Sequence, residues 1–153
     1  MIVKTQNGVI FDMNKDLEQA KKLLAESGCT CVLCRDGVVW TSVHRGVRPL
    51  LELLDGGGYW QGFSAADKVV GKATAYLYVL LGVTAIHARV ISTPAIDVLD
   101  RYGIPVRWDT QVEAIANRDK TGFCPMESAV RDISDPAQAL EAVREALKRL
   151  QNG

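Results

Sequence analysis

The sequence predicts an α/β fold: a three-layer α/β/α sandwich on a mixed sheet of about five strands. Two patterns carry that expectation. A β-hairpin signal stands early in the chain, and after it strand-like runs alternate with helical repeats bounded by Pro and Gly. A length of 153 residues fits one domain over 1–153.

Leu17, Ala20, Leu23 and Leu24 recur at helical spacing over Asp16–Ser27, and Gly28 is the stop. Cys29–Cys34 reads as a strand, Arg35-Asp36-Gly37 as a turn and Val38–Val43 as the returning strand. Gly46–Leu54 is a short helix with Pro49 in its first turn, and residues 55–60, with three consecutive glycines, form a loop. Ser64–Leu81 reads as the longest helix, central and apolar around most of its circumference after Gly71, and closed by Gly82. Thr84–Ile91 is a strand, Thr93–Tyr102 a helix entered through Pro94, and Pro105–Trp108 a short strand. Asp135–Leu150 closes the chain as an amphipathic helix.

Composition narrows the function. Lys plus Arg and Asp plus Glu each total 18, so the chain carries no basic footprint for nucleic acid or an anionic membrane. No apolar run approaches the roughly 20 residues of a membrane-spanning helix. Met1–Asp16 lacks the apolar core and small-residue cleavage pattern of a signal peptide, so the expected compartment is the cytoplasm. Cys29, Cys31 and Cys34 crowd together. Zinc is the sharp reading of that spacing, and burial in a strand is the plain one. Alternation puts Cys29 and Cys31 on one side and Cys34 on the other, which favours burial.

Three stretches carry candidate chemistry. In Ser64–Lys72, Ser64 would cap a helix and Asp67 would close a capping box, while Lys68 and Lys72, four apart, would share a face. Such a helix start suits a phosphate or carboxylate, and the alternative is capping beside a solvated lysine edge. Gly71 within a helix costs about 1 kcal/mol against Ala, which calls for close approach of a backbone or ligand. In the second stretch Cys124 precedes Pro125, with Glu127 at the third helical position and Thr121 upstream as a ligand contact. A thiol at a helix start is biased toward thiolate, the route to a nucleophilic cysteine without metal; a buried cysteine in a tight turn is the alternative. In the third, Ser92 offers a hydroxyl and Thr93 an N-cap where a strand runs into a helix. His44 and His87 have no partner at ligand spacing and read as structural.

Residues 64–83 (SAADKVVGKATAYLYVLLGV), 91–106 (ISTPAIDVLDRYGIPV) and 117–128 (NRDKTGFCPMES) resemble the family known as domain of unknown function 1893. That family is placed in the cytidine-deaminase-like superfamily, and the resemblance spans Cys29–Arg131. It implies a mixed five-stranded sheet between helices. Zinc deaminases carry His-Ala-Glu at one helix start and Pro-Cys-x-x-Cys at the next. On the strings, Ala65-Ala66-Asp67 and Pro94–Val98 stand in those places, so the ligand positions are Ala65, Ala95 and Val98 and only the acid is kept. Deaminase activity is therefore not carried over, and no metal or cofactor is expected.

Two functional classes remain, with a third beside them. One is an enzyme acting on a small anionic or nucleotide-like ligand, with Cys124, Asp67 and Glu127 as catalytic groups and Ser64, Lys68, Lys72, Ser92, Thr93 and Thr121 as binding groups. Another is a regulatory module that keeps the pocket without turnover. The third is a homo-oligomer whose interface is the apolar Ala73–Leu81 run with the Trp60 loop.

Overall fold

A computed structural model describes residues 2–4, 10–12, 14–116, 122 and 124–152. Two short antiparallel strands, β1 (Ile2–Lys4) and β2 (Ile10–Asp12), form a separate hairpin ahead of the main fold. The sequence reading did not anticipate them. Then come α1 (Asn14–Glu26), β3 (Cys31–Arg35), β4 (Val38–Ser42) and α2 (Arg48–Asp55). They are followed by β5 (Ser64–Val70), α3 (Lys72–Leu81), β6 (Ala85–Ser92), α4 (Thr93–Arg101), β7 (Val106–Val112), α5 (Pro125–Val130) and α6 (Pro136–Asn152).

The main sheet runs β4-β3-β5-β6-β7. β3 is antiparallel to β4 and to β5, whereas β5, β6 and β7 run parallel. This is the mixed five-stranded sheet of the expected sandwich. Side chains of Leu33, Ala65, Ile86 and Ala88 meet the helices α2–α6 in the larger core. Val32, Cys34 and Ala66 turn to the other face and pack beneath Ala20 and Leu24 of α1. Cys29 joins that second cluster, contrary to simple alternation, because the strand begins only at Cys31.

The largest departure from expectation lies at Ser64–Leu81, where one long helix is replaced by a strand, a corner and a shorter helix. Ser64-Ala-Ala-Asp-Lys-Val-Val has the alanines of a helix, and Lys68 stands four residues before Lys72, but the stretch occupies the centre of the sheet. There both faces are covered, and backbone pairing with β3 and β6 outweighs weak local preference. Ser64 is therefore not a helix cap; it is buried at the start of β5 and pairs with Cys34 and Ala85. Asp67 closes no capping box, and Lys68 and Lys72 share no helical face. α4 is capped by Ser92, whose Oγ accepts from Ala95 N–H at 3.2 Å, and not by Thr93, which is already the first helical residue. β7 extends to Val112, four residues beyond the strand expected there.

Gly71 is the corner. It is the N-cap of α3 in an extended conformation and offers no side chain to bond the helix's free N–H groups. Those groups find Glu127 instead. Its carboxylate accepts from Lys72 N–H at 2.6 Å and from Ala73 N–H at 2.9 Å. A Cβ on Gly71 would overlap the Glu127 carboxylate. The glycine thus has the close approach its cost called for, and the approaching group is an acid 56 residues downstream in the same chain. Lys72 Nζ completes the joint by donating to Arg131 O at 2.9 Å, at the C-terminal end of α5. Burial pushes the Glu127 carboxyl up, against the two backbone N–H donors and the Lys72 charge that favour its ionised form.

This joint makes a definite demand on mutants. Glu127→Ala is expected to lose about 1–2 kcal/mol of unfolding free energy, as for loss of a helix cap. Gly71→Ala is expected to lose about 1–3 kcal/mol through overpacking. The second loss should shrink in the Glu127→Ala background, because the struck atoms are gone. Urea unfolding of the two single variants and the double variant measures this, and strict additivity would contradict the contact.

Candidate functional site

The cross-strand register puts Cys31 of β3 directly opposite Asp67 of β5, on the face that meets α3. Tyr78, in the second turn of α3, is wholly buried above them. Its phenolic O–H donates to Asp67 Oδ2 at 2.6 Å, and the Cys31 sulfur lies 3.2 Å from the Tyr78 hydroxyl oxygen. With the Tyr78 proton given to Asp67, the Cys31 S–H is the donor in the second bond. Val69 N–H adds a weaker donation to Asp67 Oδ1 at 3.3 Å. Thiol, phenol and carboxyl thus form one continuous hydrogen-bonded chain inside the fold.

The chain ends on a cavity. A space of about 440 Å³ opens beyond the carboxyl end of β5, where parallel strands give way to antiparallel β3. Cys31 and Asp67 lie at its floor, and His44, Arg45 and Lys68 line it nearer solvent. Thr30 Oγ1 reaches the carbonyl oxygens of Ser42 and His44, tying the wall of the cavity to the segment that carries His44 and Arg45. His44 Nε2 stands 3.6 Å from Glu52 of α2.

The three buried groups differ in what they do near neutral pH. Burial pushes the Asp67 carboxyl from 3.8 to about 7, although the Tyr78 O–H and the backbone N–H groups of Val69 and Lys68 hold it down. Burial raises Tyr78 well above its ordinary value, and the neighbouring Asp67 and Cys31 charges add to that. Cys31 is raised well above its ordinary value by burial first and the Asp67 charge second. Of the trio, Asp67 exchanges its proton near neutrality, while the phenol and thiol keep theirs. The sulfur in this cavity is therefore a hydrogen-bond donor and not a standing thiolate.

The other sequence-predicted residues scatter. Glu127 and Lys72 line a second cavity of about 340 Å³ with Pro94, Ile115, Ser128 and Arg131. The Glu127 carboxylate there is already bound by α3, so it is a structural cap. Cys124 stands at the N-cap of α5, half-buried, with no side-chain cap bond, and lines neither cavity. It is not brought together with Asp67 and Lys68. Ser64 and Ser92 are buried in strand and cap roles, and Thr93 Oγ1 is exposed, accepting from Gln111 Nε2 at 3.1 Å. Thr121 lies outside the described residues.

The zinc-ligand places suggested by string resemblance also move. Ala65 lies within β5 rather than at a helix start, and Ala95 and Val98 are buried in α4. None offers a donor atom, and among the described residues no three His, Cys, Asp or Glu side chains stand together as a metal site. Sequence reasoning missed Cys31, Tyr78, His44 and Arg45 as partners of Asp67. The signal was available only in the strand reading of Ser64–Val70, which puts Asp67 on the Cys31 face.

A stability measurement tests the Asp67 environment. Its native pKa is raised above the unfolded value, so the native state holds a proton that the unfolded chain has released between roughly pH 4 and pH 7. This group should therefore remove on the order of 1 kcal/mol of stability per pH unit as pH rises through that window. Asp67→Asn is expected to match wild type near pH 4 and to exceed it at pH 8. Denaturant unfolding across pH reads the difference, and parallel profiles for the two proteins would exclude the raised carboxyl.

Comparison with known proteins agrees with the fold. Residues 19–147 match the family described as Domain of unknown function (DUF1893). The crystal structure of a DUF1893 family protein (TM1506) from Thermotoga maritima has a TM-score of 0.77 and 28% identity to this chain, covering 88% of it and 89% of that chain. A dCMP deaminase from the cyanophage S-TIM5 has a TM-score of 0.41 and 14% identity, covering 65% of this chain and 96% of that one. None of the curated proteins matches. With most of its length matched by the family pattern, the chain belongs to the DUF1893 family.

Proposed function

We propose that the chain binds a small anionic, nucleotide-like ligand in the cavity at the carboxyl end of β5, with Asp67 as its proton-exchanging group. The observation that carries this reading is a buried carboxyl at the floor of a cavity lined toward solvent by Arg45 and Lys68. A volume of about 440 Å³ lies within the roughly 300–1,000 Å³ typical of small-molecule sites. Arg45 and Lys68 supply charge-assisted donors to an anionic group, with the planar Arg45 fork suited to phosphate or carboxylate. At the far end, protonated Asp67 donates to an acceptor on the ligand, and ionised Asp67 accepts from a donor. A carboxyl poised near neutrality serves either direction of proton transfer.

Within this reading Tyr78 and Cys31 are positioning residues. Tyr78 stabilises the carboxylate that remains after Asp67 has given up its proton, and Cys31 fixes the Tyr78 hydroxyl. The arrangement favours acid–base chemistry over a cysteine nucleophile. Cys124 stands outside the cavity, and Cys31 holds its proton.

Isothermal titration with inorganic phosphate and the four common nucleoside monophosphates tests binding. Saturable binding is expected, falling as pH rises above about 7 as Asp67 ionises beside the anion. Arg45→Ala and Lys68→Ala should each weaken it about 10- to 100-fold, the scale of a charge-assisted hydrogen bond. Asp67→Asn should flatten the pH dependence, and Cys124→Ala should leave binding unchanged. Product analysis by NMR after incubation separates an enzyme from a binding module. No binding by any of the probes, or binding untouched by the Arg45 and Lys68 changes, would overturn the assignment.

A further inference from the structure

β7 is the last strand of the sheet, and among the described residues its only strand partner is β6. Ile86 N–H donates to Pro105 O at 3.0 Å, and Ile86 is the register partner of Val106. In a parallel pair the bonds to one residue come from the two flanking its partner. Arg107, Asp109 and Gln111 therefore direct their backbone groups to β6, and Val106, Trp108 and Thr110 turn N–H and C=O outward. Arg107 through Gln111 are all exposed, and Trp108 is 38% exposed.

Natural edge strands are usually blunted by charged side chains, lysine above all, by proline or by a bulge. Val-Arg-Trp-Asp-Thr-Gln-Val has no lysine and no proline, and its register to β6 keeps one offset from Ile86↔Val106 to Ser92↔Val112. The edge is left able to pair.

We propose that β7 docks against β7 of a second copy of this chain, antiparallel, with the two-fold axis at Trp108. This register puts the outward-turned residues into hydrogen-bonded pairs: Trp108 opposite Trp108, and Val106 opposite Thr110. It also puts Arg107 of each copy opposite Asp109 of the other, giving two complementary ion pairs on one face. Centring the axis on Asp109 or on Arg107 sets like charges opposite each other. Centring it on Thr110 leaves Asp109 facing Gln111. Only the Trp108 register gives both charged residues of the strand a partner of opposite sign within the strand. Asp109 lies 3.5 Å from His87 Nε2, and burial holds that imidazole below its ordinary value, so it does not cancel the Asp109 charge.

Sedimentation velocity over a concentration series of the full chain tests the dimer. Wild type is expected to dimerise, Arg107→Asp to weaken association at least tenfold, and Arg107→Asp with Asp109→Arg to restore it. Amide exchange is the second measurement. Trp108 and Thr110 should gain protection as concentration rises into the dimer range, in wild type and in the double variant. A wild-type monomer throughout, a dimer indifferent to Arg107→Asp, a double variant without rescue, or exchange at Trp108 and Thr110 independent of concentration would each overturn the proposal.

Discussion

The corner between β5 and α3 is the constraint on which the rest of the molecule hangs. α3 is the innermost helix, and the N–H groups at its start have no partner of their own. Glu127 supplies that partner from α5, reaching in where Gly71 leaves room. A single carboxylate therefore satisfies the helix start and fastens the C-terminal helices to the central sheet. Lys72 braces the same joint from the opposite direction through the Arg131 carbonyl.

The candidate site inherits its geometry from that corner. With α3 fixed at Gly71, Tyr78 comes down over the sheet where Cys31 and Asp67 are cross-strand neighbours. Rotating or sliding α3 would separate the phenol from the carboxylate. The acid is buried enough to be shifted and open enough to line a cavity. The two acids singled out from sequence thus divide. Glu127 holds the frame, and Asp67 lines the cavity at the carboxyl end of β5.

The cysteines separate along the same lines. Cys29 and Cys34 pack under α1 on one face, and burial pushes the Cys34 thiol up to about 11. Cys31 belongs to the other face and the Tyr78 network. Crowded in sequence, the three are divided between the two faces of the sheet. Cys124 stands at the start of a short helix, and no acid or base of the Asp67 cavity accompanies it.

The sequence carried the sandwich, the β3–β4 hairpin, α1, α6, the Gly82 stop and the demand for a close contact at Gly71, because periodicity, turn chemistry and helix punctuation act over a few residues. It did not determine that Ser64–Val70 is a strand. That stretch has helical spacing, and only pairing with β3 on one side and β6 on the other tips it. Once that choice was made by the tertiary fold, Asp67 left the helix start assigned to it and joined Cys31 and Tyr78, 36 residues before it and 11 after. Glu127, 56 residues from Gly71, likewise came to cap the start of α3. Contacts across such separations depend on register and burial, which are properties of the assembled sheet and not of any local string.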